Sequence, residues 1–522
     1  MTPTTAQSAV VASERYSALE ESRNIYLQRG REAAALTVPS IMPPQGFTAS
    51  SQLVTPYQSL GARGVRNLAS KLLLSLFPSN SPFFQYKVDD QTLEKLGKAR
   101  GEIEKALSSR ERATITEVES AVFRPAAFQA LLQLLVVGNA LVYLPTEPDD
   151  RATVYRLDQF VTRRDPAGNL LELVLLEQME IQSLPEEVRS KLADSEEYKK
   201  AAASPKKEIK LYTHAQLEDG KWRVFQEVCG QRLPGSEGTY LRDELPWFPL
   251  RFSAQPGEHF GRSYVEEFLG DLDSLEALSE ALVEGSSASA RIVFMVDPAG
   301  STTLQVVATA RTGDTVSGRV QDVQAMQVNK GADLRVAKEQ ADAIATRLSY
   351  AFLLHSSVQR NGERVTAQEI RYMASELDDG LGGVYTLLAA EFQLPCVRIF
   401  EKRMEKRLKV PKLPDIVKPV LISGLEAIGR GHDQRNLQAF ASEIIQVLTP
   451  QVAFQYINAQ EYLARAATGY GIDPQGLIKS AEEVAAAQQQ QQAMAMMQQL
   501  GPQAISQAGG MAKQAVANQG KQ

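Results

Sequence analysis

The chain is poor in the residues that build metal and thiol centres. Its 522 residues include two cysteines, Cys229 and Cys396, and four histidines, and none of these stands at the spacing of a metal site. Two cysteines this far apart cannot build a disulfide framework, so we expect both to be reduced and to lie in the core. The histidines are expected to have structural or surface roles.

Short enzyme motifs are also absent. The sequence contains no GxxxxGK[ST] loop for nucleotide phosphates, no HExxH and CxxC metal motifs and no GxSxG nucleophile motif. We therefore expect a protein without catalysis, cofactor or metal. A hydrolase that lacks a familiar motif is the first alternative.

Long apolar runs are missing as well. A membrane-spanning helix needs about 18 apolar residues, and the richest run, 131–144, is interrupted by Gln133, Gly138 and Asn139. The first eleven residues lack the basic and apolar regions of a signal peptide. We expect synthesis in a cytoplasm. The Met/Gln/Ala-rich C-terminal end keeps a second alternative open, a helical scaffold or membrane-associated assembly protein.

The charge of the chain is acidic rather than basic. With 56 Lys and Arg against 62 Asp and Glu, the net charge is -6. A protein that grips DNA by releasing counterions usually carries a basic surface, so this balance argues against that class. It does not argue against a conduit, because a channel through which DNA slides should repel phosphate.

Hydrophobic periodicity predicts an α+β fold that is mainly α-helical. Helices are expected over 6–35, from a cap at Thr55 to Pro78, and over 91–135. A β-rich part over 141–252 has predicted hairpin turns at 165–169 and 218–221 and a polar insertion at 184–207. Helices over 264–292 and 336–357 flank a β-like stretch over 293–335, in which Leu304–Val307 reads as a strand. Three further helices are expected between 432 and 498, followed by a flexible tail over 499–522.

The strongest helix signal begins at Thr366. This residue can cap a helix, Glu369 can complete a capping box, and Val365 and Ile370 form a hydrophobic staple. Apolar residues then recur on one face: Ile370, Met373, Leu377, Leu381, Val384 and Leu388. Three glycines interrupt this helix and predict a kink or a close helix crossing: Gly380, Gly382 and Gly383.

The helix over 264–292 is strongly acidic. Ser263 is expected to cap it and Glu266 to complete the capping box, and no Lys or Arg occurs between Tyr264 and Ala290. The carboxylates are Glu266, Glu267, Asp271, Asp273, Glu276, Glu280 and Glu284. They form either an ordinary solvated face or a wall that repels DNA.

A second charged segment, 398–412, has the opposite sign. It carries seven basic and two acidic residues beside an apolar stripe of Val397, Phe400, Met404 and Leu408. We interpret it as an amphipathic surface helix. Contact with DNA or with acidic faces of a neighbouring subunit are the alternatives.

Five motifs, in order, resemble phage portal proteins, the head-to-tail connectors, most closely those of short-tailed, autographivirus-type phages. They are 61–72 (GARGVRNLASKL), 134–145 (LLVVGNALVYLP), 261–272 (GRSYVEEFLGDL), the loop and helix over 358–395, and 423–431 (SGLEAIGRG). The resemblance covers roughly residues 50 to 435. The family pattern carries the Gly382–Gly383 pair but not Gly380, so a softer bend is expected here.

The resemblance implies a portal fold with wing, stem, clip and crown, assembled as a ring. The implied parts are a wing over 1–263 (helical 1–140, β-rich 141–252), stem helices 264–292 and 336–357 around a clip at 293–335, a tunnel loop at 358–365, a long wing helix and linker over 366–424, and a crown at 425–498. The implied DNA-contacting loop residues are Gln359, Arg360, Asn361, Gly362, Glu363 and Arg364. A solvated interhelical turn is the alternative for this loop.

The resemblance also implies a function and partners. The ring would be a dodecamer at one capsid vertex of the virion, made in the host bacterial cytoplasm, through which double-stranded DNA is packaged and ejected. The implied partners are the terminase large subunit, which would supply the ATPase, scaffolding protein, major capsid protein, tail adaptor proteins and internal core proteins.

Overall fold

The computed structural model describes residues 11–48, 50–78, 83–88, 100–147, 150–204, 206–290, 293–326, 331–354, 383–410, 417–421, 441–444 and 462–463. Contacts divide the chain into two units, 1–424 and 425–522. In the second unit the described residues are helical. Most of the predicted crown and the whole predicted tail therefore lie outside the described residues.

The first unit mixes helix and sheet and is mainly helical, which confirms the predicted fold class at that level. Its helices are α1 (Ala12–Ala35), α2 (Leu60–Leu76), α3 (Arg100–Ser120), α4 (Phe123–Val137), α5 (Glu186–Leu192), α6 (Glu196–Ala203), α7 (Leu269–Ser289), α8 (Leu304–Thr309), α9 (Gly331–Ala351), α10 (Val384–Leu388) and α11 (Leu394–Leu408). A π-helix (Ala389–Gln393) joins the last two, and a 3-10 turn (Val265–Phe268) precedes α7.

The strands that the structure describes form four antiparallel sheets. They are β1 (Phe84–Val88), β2 (Asn139–Tyr143), β3 (Thr153–Tyr155), β4 (Phe160–Arg164), β5 (Leu170–Glu180), β6 (Glu208–Glu218), β7 (Lys221–Val228), β8 (Gln231–Arg232), β9 (Gly238–Leu241), β10 (Trp247–Arg251), β11 (Val293–Val296), β12 (Val323–Met326) and β13 (Val417–Leu421). The largest sheet has the order β4-β5-β6-β7-β8, with β9 also paired to β7. The others are β10-β2-β3, β1-β13 and β11-β12.

One hydrophobic core unites most of the first unit, and α4 lies at its centre. This helix is apolar on all sides, which predicts burial rather than an amphipathic surface position. Leu131, Leu134 and Leu135 are fully buried, and residues of α1, α2, α11 and the three-stranded sheet pack in the same cluster. Among the described residues no single helix is long and apolar enough to cross a membrane, although the bent pair 106–120 and 123–137 meets that test by length and composition.

Both predicted hairpins are confirmed. β4 and β5 are joined at 165–169, where Asp165 Oδ1 accepts a hydrogen bond from the amide of Asn169 at 2.8 Å. β6 and β7 are joined through Asp219 and Gly220, both with positive φ, as a tight turn between twisted strands requires. The polar insertion at 184–207 contains the short helices α5 and α6, whose apolar residues pack in a small cluster beside β6 and β7.

Helix α2 begins later than predicted. The sequence placed its start at Thr55–Pro56, but the first helical residue is Leu60. The amides of Tyr57 and Gln58 donate instead to the carboxylate of Glu276, at 2.7 and 3.1 Å, and Gln58 Oε1 accepts the amide of Gly61 at 2.8 Å. A carboxylate from a distant helix thus replaces the predicted local cap.

Two other predicted elements need correction, and a third is refined. The helical prediction over 91–135 is confirmed where the structure describes it, in α3 and α4, which are separated at Val122 by a left-handed φ of 50°. Leu304–Val307 is helical, not a strand, since a short apolar run does not distinguish the two. The helix expected over 336–357 spans Gly331–Ala351 and ends where Leu353 turns left-handed at φ 52°.

The long helix after Thr366 is described only from Gly383 onward. From Val384 it continues through Pro395 to Leu408, with the π-helix at Ala389–Gln393 immediately before the proline. Pro395 has no amide to donate and its ring would clash with the carbonyl four residues earlier. The wider π turn relieves this clash and lets the chain remain helical.

A buried carboxylate attaches α1 to the six-stranded sheet. Glu172 on β5 accepts hydrogen bonds from Arg15 at 2.9 and 2.7 Å, from Arg163 at 3.0 Å, and bonds with His214 at 3.0 Å. Burial raises the pKa of Glu172, but the bonds from Arg15, His214 and Arg163 outweigh burial and hold that pKa well below its usual range.

This arrangement predicts an acid sensitivity that depends on Glu172. A depressed folded-state pKa contributes stability above the unfolded pKa of about 4.3, and that stability is lost as the pH falls further towards the folded pKa. We expect Glu172→Gln to lower the melting midpoint at pH 7 and to flatten its decline between about pH 5 and 3. Glu186→Gln, at a solvent-exposed ion pair with Arg189, is the control. Parallel pH curves for wild type and Glu172→Gln would contradict the assignment.

Candidate functional site: the acidic two-helix arm and its anchorage

The acidic helix and its neighbour form an antiparallel pair, which we call the two-helix arm (α7 and α9). Ser263 Oγ accepts the amide of Glu266 at 3.0 Å, so the predicted cap is confirmed, while the Glu266 carboxylate pairs with Arg29 at 2.9 Å instead of completing a box. Leu272 and Leu275 are buried on the inner side of α7. Phe268, Leu278 and Leu282 are half-buried against the same core.

The structure divides the seven predicted carboxylates into two groups. Three have partners within the chain: Glu266 with Arg29, Asp271 with Arg347 at 2.8 Å, and Glu276 with the amides before α2. Four are exposed: Glu267, Asp273, Glu280 and Glu284. Asp273, Glu280 and Glu284 recur at intervals of seven and four residues, so they share one face of α7, away from its buried leucines.

The far half of the arm and the module beyond it have few buried apolar side chains. Between Leu275 and Ala341, no apolar residue is buried among those whose side-chain burial the structure describes. Several large apolar side chains there are instead exposed: Val283, Phe294, Met295, Leu304, Val316, Val320 and Val336. Among the described strands, β11 and β12 pair only with each other, and a two-stranded sheet is marginally stable in water by itself.

The near end of the arm is firmly anchored to α2. The last carbonyl of α9 and the two carbonyls that follow it accept hydrogen bonds: Ala351 from the Tyr264 hydroxyl at 2.7 Å, Phe352 from Asn67 at 3.1 Å, and Leu353 from Asn67 at 3.1 Å and Lys71 at 3.0 Å. The Lys71 ammonium also opposes the negative end of the helix dipole. Burial raises the pKa of Tyr264 to about 12, so its hydroxyl stays protonated and donates.

Close packing fixes the same junction. The Phe352 ring is fully buried and lies against the rings of Tyr264 and Phe268. A Cβ added to Gly64 on α2 would lie 2.5 Å from Cγ of Phe352, so only glycine lets the two segments approach this closely.

Helix α2 also binds the segment that begins at Gly383. The Tyr385 hydroxyl donates to the carbonyl of Ser75 at 3.1 Å, and Gln393 in the π-helix donates to the carbonyl of Leu76. Both ends of the segment 355–382 are therefore attached to one helix. The predicted loop residues 359–364, with Gly380 and Gly382, lie outside the described residues, and Gly383 stands at the boundary of α10.

The π-helix carries a carboxylate that bridges to the sheets. Glu391 accepts the backbone amide and the Nε of Arg251, each at 3.1 Å, and lies 3.5 Å from Nη1 of Arg164. Both arginines are almost fully buried. Burial lowers the pKa of Arg164 to about 10, against the favourable influence of Glu391.

The basic segment is engaged within the chain. Its ion pairs are Arg398–Asp243, Lys402–Glu244, Arg403–Glu117, Lys406–Glu147 and Arg407–Glu117. Val397, Phe400 and Met404 are buried and Leu408 is exposed. The helix is amphipathic as predicted, but it is a core helix whose cations are compensated, which disfavours a DNA contact.

The surroundings of the histidines and cysteines can be compared with their predicted roles in the part of the chain that the structure describes. No group of His, Cys, Asp and Glu within the described residues could hold a metal ion. His214 bonds Glu172 and His259 accepts the amide of Arg164, which agrees with structural roles. Both cysteines are unpaired; Cys396 is buried as predicted, and burial raises its pKa, while Cys229 is only half-buried.

Sequence reasoning missed the residues that anchor the arm. Asn67, Lys71 and Tyr264 lie inside two of the motifs that carried the resemblance, but neither motif by itself indicates a role. Their partners are backbone carbonyls about 90 to 290 residues distant in sequence, and carbonyls leave no mark in a sequence pattern.

Comparison with known proteins identifies the family. Residues 10–478 match the family described as bacteriophage head to tail connecting protein. The chain is 41% identical to the portal protein of Escherichia phage T7 over 518 residues, 96% of this chain and 94% of that protein. It is 41% identical to the portal protein of Enterobacteria phage T3, covering 90% and 89%, and 28% identical to that of Enterobacteria phage SP6, covering 85% of each.

A chain from the neck of a native GTA particle is similar over 76% of this chain and 89% of that one, with a TM-score of 0.33 and 11% identity. Members of the matched family are structural connectors of phage head and tail, so the prediction of a non-enzymatic virion protein is confirmed. The chain belongs to the head-to-tail connecting, or portal, protein family of bacteriophages.

Proposed function

We propose that twelve copies of this chain form a ring at one capsid vertex, and that double-stranded DNA enters and leaves the head through its centre. The names of the relatives support a position between head and tail. The two-helix arm is the observation that best supports a channel for DNA. It has a solvent-exposed face whose carboxylates have no partner among the described residues of the chain.

In this proposal the parts of a portal correspond to the following segments of the chain. The wing is 1–263, and the stem helices are the 3-10 turn with α7 and then α9, somewhat shorter than the predicted 264–292 and displaced from 336–357. The clip, predicted over 293–335, is the module between them that is described over 293–326, since residues 331–335 belong to α9. The tunnel loop at 358–365, the long wing helix and linker at 366–424 and the crown at 425–498 keep the assignments that the family resemblance implies.

Electrostatic repulsion would keep DNA mobile in the channel. Glu267, Asp273, Glu280 and Glu284 repeat once per subunit, so a ring places many like charges around the DNA. Charges act over a Debye length of about 8 Å at physiological salt, which is enough to prevent adhesion of phosphate at close approach. Glu266, Asp271 and Glu276 do not contribute to this wall in our proposal, since they are paired within the chain.

The tunnel loop would supply the contact with DNA. Arg360 and Arg364 carry the charge that phosphate requires, and Glu363 can pair with either. Asn67, Lys71, Ser75 and Leu76 on α2 hold the chain on both sides of the loop segment. A bend at Gly380–Gly383 would transmit a movement of the loop to the wing. The π-helix would transmit it further to the sheets through Glu391.

Partners follow from the same assignment. The terminase large subunit would drive packaging, scaffolding protein and major capsid protein would surround the ring during head assembly, tail adaptor proteins would dock afterwards, and internal core proteins would lie on the inner side. The end-on view of the purified protein in negative stain tests the ring: about twelve subunits around a central hole are expected, and monomers in the presence of scaffolding protein would contradict it.

The loop contact has its own test. In the double variant Arg360→Ala, Arg364→Ala we expect normal rings but reduced genome retention, measured as DNA released from filled heads over time. The matched control is Arg223→Ala, Arg232→Ala, which removes two exposed arginines of the six-stranded sheet. Wild-type retention in the loop variant would defeat the proposed contact.

A further inference from the structure

The outer half of the two-helix arm carries unpaired charges of both signs. α7 contains no Lys or Arg, and α9 contains Arg335, Lys338 and Arg347. Arg347 is bound to Asp271. Arg335 and Lys338 are exposed and lie beyond 4.0 Å from every carboxylate of the described residues, including Glu339 and Asp342 on their own helix.

Two contacts fix the register of the antiparallel helices. Asp271 pairs with Arg347 near one end of the arm, and a Cβ at Gly285 would lie 2.7 Å from Cδ2 of Leu334 near the other. One step forward along α7 is therefore matched by one step backward along α9.

We call the position of a residue along the long axis of the arm its height. From the contact between Gly285 and Leu334 towards the anchored end, residues of opposite charge on α7 and α9 lie at equal heights. Glu284 is level with Arg335, and Glu280 is within about one residue, 1.5 Å of rise, of Lys338. Val283, 56% exposed, is level with Val336, 58% exposed. Asp273, nearer the anchored end, has no unpaired cation at its height. The charge complementarity is confined to the outer half.

A cyclic ring turns this register into a contact between copies. Rotation about the ring axis carries each copy onto the next without changing its height along that axis. When the arm runs along the axis, residues of equal height therefore lie opposite each other at the contact between two neighbouring copies. We propose that Glu280 and Glu284 of one copy pair with Lys338 and Arg335 of the next, and that Val283 and Val336 lie in the same contact. The inference rests on the proposed ring.

The exposure of apolar side chains supports the same occupant. Val283 and Val336 are each more than half exposed, and a contact between copies would bury both of them beside the charge pairs. A second copy is the partner whose opposite charges stand at the required heights. In that contact Glu280 and Glu284 would no longer contribute to the repelling wall proposed above, because the next subunit neutralises them. The wall would then be carried by Glu267 and Asp273, which lie nearer the wing.

Complementary charge reversal tests the contact. One chain carries Glu280→Lys and Glu284→Lys, and the other carries Arg335→Glu and Lys338→Glu. Each chain expressed alone should give ring yields lower on the order of tenfold, since like charges then meet at every interface. Co-expression of the two chains under different tags should restore rings that contain both chains in equal number, measured by native mass spectrometry and negative stain.

The alternatives give different results. Normal rings from either reversed chain alone would overturn the proposal, because the residues would then face only the bore or solvent. Recovery when all four changes are in one chain, but not when the two chains are mixed, would place the pairs within a subunit and also overturn it. Glu267→Lys with Asp273→Lys, which is expected to assemble normally, is the matched control. Absence of rings in the wild type would instead refute the proposed function.

Discussion

Replacing Gly138 by alanine is expected to cause a large loss of stability, although it adds only one methyl group. Gly138 ends α4 with a φ of 82°, and an added Cβ would lie 2.6 Å from the backbone carbon of Arg262 and from the amide nitrogen of Ser263. Backbone atoms cannot move aside as a flexible side chain can. Left-handed strain and the backbone clash together should cost about 2–5 kcal/mol.

The consequence should extend to the two-helix arm. Beside this contact, Asn139 exchanges two hydrogen bonds with Gly261, both at 2.7 Å, and Ser263 caps the turn before α7. We expect Gly138→Ala to lower the melting midpoint by several degrees and to reduce ring yield, because displacement of 261–263 moves the start of the arm.

Gly220→Ala is the matched control for Gly138→Ala. Gly220 has a φ of 76°, nearly the same as Gly138, but an added Cβ would meet nothing within 4 Å. Only the backbone strain of about 1–2 kcal/mol should remain. Equal melting midpoints for the two variants would show that the close approach of Gly138 to 261–263 does not limit stability.

Removing the charge of Glu391 should have the second large effect. This carboxylate is the shared partner of Arg251 and Arg164, whose side chains are 7% and 5% exposed. Glu391→Gln preserves the shape but leaves two buried guanidinium groups without a counter-charge. Breaking a buried pair in this way costs about 3–5 kcal/mol. The lowered pKa of Arg164 already reflects that burial disfavours its charged form.

Thermal melting and limited proteolysis measure this effect. We expect a lower midpoint and faster cleavage near the π-helix, because Glu391 holds that segment to β10. Glu147→Gln is the control: its pair with Lys406 is largely exposed, at 65% and 47%, and such pairs contribute about 0–1 kcal/mol. A midpoint for Glu391→Gln within the range of that control would show that solvent reaches the arginines.

Individual elements show how far sequence reasoning reaches. The hairpin turns at 165–169 and 218–221 were predicted correctly because their chemistry is local: Asp165 bonds Asn169, and Gly220 accepts a positive φ. The start of α2 was predicted incorrectly because its true partner, Glu276, lies more than 200 residues away. The same Glu276 was predicted as a channel carboxylate, and its structural partner explains why it is not exposed.

The candidate site follows the same division. Five ordered motifs were enough to indicate a portal protein. A series of carboxylates without any Lys or Arg among them was enough to indicate an acidic helix. Which carboxylates remain exposed was decided by Arg29, Arg347 and the amides before α2, none of which is adjacent in sequence. The compensation of the basic helix α11 was likewise decided by acids on other elements.

The sequence by itself indicated the family, through five motifs that resemble those of portal proteins. It also determined the mixed and mainly helical fold, the local turns and the acidic character of α7, because each of these depends on composition, periodicity or bonds between near neighbours. Only the tertiary structure decided which charges are paired, where α2 and α9 begin and end, and which heights of α7 and α9 coincide. These depend on contacts between residues far apart in the chain, and a buried charge or a carbonyl acquires its partner only when the chain folds.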